Sequence, residues 1–200
     1  MKITHLFIGT FVLMSCLFPW RHDLSSFPKT STVSFCEGSS LKIKGSSNVN
    51  KFECVLDMNI LSEHMEVLYE ESKDYLNFTN TKLVIPAIHF DCGGKMINKD
   101  FQKLLNVDNF PEIKLALKRV MKSKISQDCT MATIEVVICD IKNTYDVPIS
   151  TSKSIEGINI DGILALNIND FSLEPPKKML GVIKVSPIIE IEFLLNFRVE

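Results

Sequence analysis

Residues 81–112 read TKLVIPAIHFDCGGKMINKDFQKLLNVDNFPE, and the change of period inside this stretch decides the fold. Leu83 and Ile85 alternate with their neighbours up to Pro86, where the alternation ends because proline cannot donate to a ladder. Gly93-Gly94 then breaks the chain. From Lys95 onward, Met96, Ile97, Phe101, Leu104 and Leu105 fall at helical spacings, about three turns of amphipathic helix that lay one apolar face on something. A new strand waits beyond Pro111. In a chain otherwise composed of alternating strands, the helix is expected to cover the open end of a rolled sheet.

Working outward, the strands come in a regular series. Leu41, Ile43 and Gly45 alternate with Lys42, Lys44 and Ser46. Phe52, Cys54, Leu56, Met58 and Ile60 face one way, with Lys51, Glu53, Asp57 and Asn59 opposite. The charged run 62–75 is read as an excursion between strands, and the sheet resumes over 76–85. After the helix, Ile113, Leu115 and Leu117 alternate with Lys114, Ala116 and Lys118. Residues 130–138 are apolar at almost every position, as in a strand covered on both faces. Pro148 marks an edge or bulge in the run 145–151. A clean alternation over 157–167, a loop over 170–181 and a final strand through Ile189, Ile191, Phe193, Leu195 and Phe197 complete the series. The total is about eight antiparallel strands and one helix, an all-β chain that closes as a sandwich or as a barrel.

Length and composition bound the rest. With 200 residues, 46% hydrophobic, the chain can bury one substantial core. Its 22 basic and 24 acidic residues nearly cancel, so no broad cationic field points to a nucleic acid partner. Lys2 precedes an apolar run from Leu6 to Phe18 that is too short to span a bilayer and has the form of a secretory h-region. Residues 1–20 are therefore expected to be a signal peptide, 21–38 a tether and 39–200 the folded domain. Leu13-Met14-Ser15-Cys16 resembles a lipobox, which would lipidate Cys16; an incidental cysteine in an ordinary cleaved leader is the other reading. Export puts Cys36, Cys54, Cys92, Cys129 and Cys139 in an oxidising compartment, where disulfides form. Cys129 and Cys139, at the two ends of one strand and roughly 30 Å apart, should not pair.

No G-x-S-x-G elbow, P-loop, H-E-x-x-H or paired C-x-x-C occurs. His89, Asp91 and Cys92, with His64, could gather round a metal, but no second histidine sits at ligand spacing, so neither a metal site nor a catalytic residue is expected. The large inward residues Phe52, Leu56, Met58, Leu83, Met96, Phe101, Leu104, Leu115, Ile134, Leu164, Phe171, Met179 and Phe193 have two readings. They pack as ordinary core, or they line a pocket for a long apolar ligand.

Several stretches taken together resemble the YceI-like family of bacterial envelope proteins. They are Gly45-Ser46-Ser47 to Phe52, Ile85-Pro86 with Asp91-Cys92-Gly93 and Asp100, Phe110-Pro111-Glu112-Ile113, and Gly162 to Asp170-Phe171 with Glu174-Pro175-Pro176. The resemblance covers roughly residues 40–199. It implies an eight-stranded, lipocalin-like antiparallel barrel with a helix and loops at its mouth. It also implies non-enzymatic binding of a polyisoprenoid or similar long lipid, without catalytic residues or another cofactor. A periplasmic or membrane-anchored location is expected, and the polar face left on most strands points to a monomer or homodimer. The chain departs from the family in lacking a glycine over Asp140-Ile141-Lys142-Asn143 and in its extra cysteines. Within such a barrel, Cys54 and Cys92 lie on elements that meet at one end and are expected to form a disulfide. A filled barrel that acts through its surface and an outer-membrane barrel remain the alternatives.

Overall fold

The computed structural model describes residues 28–61, 64–122, 129–153, 157–178 and 182–200. The expected signal peptide, the lipobox-like stretch ending at Cys16, and Met179 lie outside them. Among the described residues there are fourteen strands and one α-helix: β1 Lys29–Phe35, β2 Ser40–Ser46, β3 Lys51–Leu56, β4 Met65–Glu71, β5 Tyr75–Phe78, β6 Lys82–Pro86, β7 Phe90–Asp91, α1 Lys95–Leu104, β8 Glu112–Met121, β9 Cys129–Ile138, β10 Ile141–Lys153, β11 Ile158–Asn167, β12 Lys177–Lys178, β13 Ile183–Lys184 and β14 Ile188–Val199.

The short strands combine into longer ones. β14 pairs with β2 along its first half and with β1 along its second, so β1 and β2 act as one bent strand. β3 pairs with β2 and β4 with β1, which makes β3 and β4 a second composite. β5 and β6 both pair with β8, forming a third. Eight antiparallel strands result, and the pairings run β1-β4-β5-β8-β9-β10-β11-β14 and back to β1. This is the expected all-β architecture, rolled so that the last strand meets the first.

Two boundaries differ from the sequence reading. Residues 29–35 are strand β1 rather than tether, and the middle of the charged run 62–75 is strand β4. Neither segment shows a clean apolar stripe, because β1 is short of large side chains and β4 buries only Val67. Their strand state comes from the ladder between them, Thr30 opposite Leu68 and Val33 opposite Met65.

Inside, alternation places Leu41, Ile43, Cys54, Leu56, Ile113, Val136, Val147, Ile149, Leu164 and Phe193 in one buried cluster. Two glycines make room for aromatic rings directly across the ladder. Gly45 pairs with Phe52 and Gly162 with Phe193, and a Cβ on either glycine would meet the facing ring at 2.4 and 2.7 Å respectively. The space beside Gly162 is filled by Phe193, and Leu164, two residues on, is packed core.

The outer face is charged and paired. Lys42 meets Glu53 at 3.8 Å, Lys114 meets Glu112 at 3.4 Å, and Lys44 pairs with Glu192. Glu135 sits between Lys118 and Lys142, 3.3 Å from each. Burial pushes its carboxyl up, but the hydrogen bonds from Lys142 and Lys118 outweigh that and hold it below the usual range. On the outward face of β9, Glu135 is thus clasped by lysine side chains and Met131 is exposed, in place of the second layer that the strand's composition suggested. A barrel embedded in lipid needs an apolar outer band. Here the apolar side faces inward.

Candidate functional site at the barrel mouth

One end of the barrel is formed where β2, β6, β9 and β11 finish and β3, β8, β10 and β14 begin. The stretch 91–94 sets the cap on this end. Asp91 Oδ1 accepts from Gly93 N at 2.9 Å and from Asn98 Nδ2 at 3.0 Å, while Asn98 Oδ1 accepts from Cys92 N at 2.7 Å. Those bonds, Asn98 first, hold the Asp91 carboxyl below its ordinary pKa. Gly93 takes φ +83, a conformation a side chain would strain. Cys92 is disulfide-bonded to Cys54 on β3, as expected, which fixes the start of α1 to the wall.

α1 lays Ile97, Phe101 and Leu104 on the core, with the Phe101 ring 5.5 Å from that of Phe90. Met96, expected to line the pocket, is 77% exposed instead. The inward face runs through 97, 101 and 104, and a residue about 100° round the helix from Ile97 points away.

The other side of the mouth is built by the turn Cys139-Asp140 and by residues 168–176. Cys139 and Asp140 both have positive φ, at 50° and 60°, the two-residue hairpin geometry that usually selects Asn or Gly. The Cys139 thiol donates to the Leu105 carbonyl at 3.2 Å, tying this turn to the C-terminal end of α1. Pro148 also has a clear role. β10 pairs with β9 from Ile141 to Ser150, but its ladder with β11 begins only at Ile149. Between Pro148 and the mouth the two strands separate, and the 3₁₀ turn Ile168–Phe171 wedges in, with Asn143 Nδ2 donating to the Asp170 carbonyl at 2.9 Å.

A groove of about 850 Å³ opens at this seam. Its apolar wall is Leu104, Phe110, Ile141, Phe171, Leu173 and Pro176, and its polar residues include Asp100, Lys103 and Glu174. Phe171 is fully buried at its floor, and its ring lies 6.5 Å from Tyr145, which faces the barrel interior. The Tyr145 hydroxyl is buried without a hydrogen-bond partner. Burial, aided by Asp170, raises its pKa, so it stays a neutral donor.

Of the sequence candidates, Leu104 and Phe171 meet at this groove. Leu56, Leu164 and Phe193 are buried core, while Met58, Leu83, Phe101, Leu115 and Ile134 are half-buried against that core. Phe52 fills the gap at Gly45. Phe110, Cys139, Ile141 and Leu173 were not singled out in the sequence, because a turn residue or one apolar residue in a loop carries no period. The spacing of Phe171 and Leu173 was the available signal. Among the described residues no cluster of three metal-ligating side chains occurs, and His89 and His64 do not converge with Asp91.

No family model and no curated protein sequence matches the chain. Among solved structures, BcnA of Burkholderia cenocepacia superposes with a TM-score of 0.57 at 15% identity, covering 78% of this chain and 94% of its own. The fold is YceI-like. A YceI protein of Campylobacter jejuni also aligns, at 12% identity over 100% of this chain and 91% of its own, with a TM-score of 0.44. In this YceI-like barrel the mouth groove carries a built-in reporter. Burial, then the neighbouring Asp140, raises the Cys139 pKa, so less of it is thiolate near neutrality. Cys139 should therefore alkylate more slowly than the exposed Cys129 at neutral pH, with the gap narrowing as the pH rises. Mass-resolved iodoacetamide labelling across a pH series measures this, and equal rates throughout would contradict the burial of the thiol.

Proposed function

We propose that the protein binds a long-chain amphiphile, a polyisoprenoid or another lipid, without chemically transforming it, and that it does so after export to the cell envelope. The observation that supports this reading is the mouth groove. Its volume lies within the range of small-molecule sites, and it joins an apolar wall to a polar edge beside a partly separated seam of the barrel. An apolar chain would lie along Leu104, Ile141 and Leu173. Among the described residues the polar edge joins Lys103 to Asp100 and Glu174.

The second reading, a filled barrel that works through its surface, is favoured by the rings of Phe52 and Phe193 that occupy the space at Gly45 and Gly162. One variant separates the two. Ile141→Trp fills the groove from its half-exposed wall, so binding of a fluorescent prenyl-alcohol probe should weaken by roughly tenfold or more, with little change in melting temperature. In the wild type the same probe should protect Cys139, and not Cys129, from alkylation. Absence of probe binding and of any lipid in an organic extract of the purified protein would leave the filled-barrel reading.

A further inference from the structure

A second feature at the mouth lies outside the groove. Val49 and Val182 are 65% and 68% exposed, among the most solvent-exposed large apolar residues described. They belong to segments far apart in sequence that the fold locks side by side. Asn48 donates from its backbone N–H to the Lys184 carbonyl at 3.1 Å, accepts from Lys184 N at 2.9 Å through Oδ1, and donates from Nδ2 to the Val182 carbonyl at 3.0 Å. Ser47 bridges Val185, and Ser186 N donates to the Ser46 carbonyl at 2.8 Å.

The turn that carries Val49 is stiff. Ser47 Oγ accepts from Val49 N at 3.2 Å and from Asn50 N at 3.0 Å, and it donates to the Asn50 carbonyl at 3.1 Å. A valine held out of the core on a rigid turn cannot fold back to hide. The charges beside it have one sign: segments 46–51 and 182–186 contain Lys51 and Lys184, both exposed, and no carboxylate. This differs from the barrel wall, where lysines are matched by glutamates.

We infer that this valine-tipped, lysine-flanked pair of loops docks the mouth of the barrel on an anionic phospholipid surface, the valines entering the headgroup boundary and the lysines resting on lipid phosphates. The inference goes beyond the groove reading and does not depend on it, since the loops can rest on a bilayer whether or not the barrel takes a lipid. If both hold, docking puts the groove and the β10–β11 seam next to the membrane.

The test is co-sedimentation of the full chain with vesicles of phosphatidylglycerol and phosphatidylethanolamine, against vesicles of phosphatidylcholine alone. The wild type should prefer the anionic vesicles, and the preference should fall with added salt. Val49→Asp with Val182→Asp should weaken binding by roughly tenfold or more, because apolar burial is lost and two anions are added. Lys51→Gln with Lys184→Gln should weaken it by roughly fivefold per lysine. All four positions are exposed, so circular dichroism melts should match the wild type. Equal binding by wild type and the Asp variant, strong or absent, overturns the inference, as does a wild type indifferent to lipid charge. Probe binding by Ile141→Trp, measured without vesicles, fails or succeeds separately.

Discussion

Replacing Phe171 with alanine should lower the melting temperature by about 10 °C while leaving the groove more receptive to a long-chain probe. Phe171 is fully buried, so its loss removes transfer energy and leaves a cavity, together about 3 to 5 kcal/mol. At roughly 2 to 4 °C per kcal/mol for a chain of this size, the shift is readily measured by calorimetry. The binding half follows from position. Phe171 is floor to the mouth groove on one side and neighbour to Tyr145 on the other, and Tyr145 does not line the groove. Removing the ring joins the groove to the interior and brings the unpaired Tyr145 hydroxyl within reach of a ligand. Loss of stability together with tighter binding of a longer prenyl or acyl probe is the result expected of a lipid carrier. The same loss of stability with no probe binding at any chain length marks a solid core.

Breaking the disulfide should cost about as much. Cys54 and Cys92 are 38 residues apart in sequence, and closing such a loop stabilises by about 4 kcal/mol in the chain-entropy model. Cys54→Ala with Cys92→Ala should therefore melt roughly 8 to 16 °C lower. The loss should concentrate at the mouth, because the bond anchors the turn from which α1 starts. Hydrogen exchange should show the amides of 95–104 opening first, while β9 and β10 stay protected. Unchanged protection over α1 would mean that packing of Ile97, Phe101 and Leu104 holds the helix by itself. Peptide mapping of unreduced protein gives an independent check, and recovery of both cysteines as free thiols would falsify the pairing.

Much of this was legible in the chain itself. A period of two over eight runs requires strands with one apolar face, and a single period-3.6 run after Gly93-Gly94 requires one helix. Together these set an all-β chain with one helix before any contact was known, and the sign of each face followed from the lysines opposite the apolar stripes. Cys54 and Cys92 could be paired once a barrel was supposed, because the strand of one and the turn of the other then meet at one barrel end. Tertiary structure decided the remainder. β1 and β4 are strands because each completes the other's ladder, a pairing that no local pattern records. Gly162 has no side chain of its own, but only the register across to β14 shows that Phe193 occupies the space beside it. The mouth groove brings Leu104, Ile141 and Leu173 together from one helix, one strand and one loop. Periodicity tells a side chain which face of its own element to occupy; which other elements share that face depends on register and closure, and these are set by long-range pairing energy rather than by neighbours in sequence.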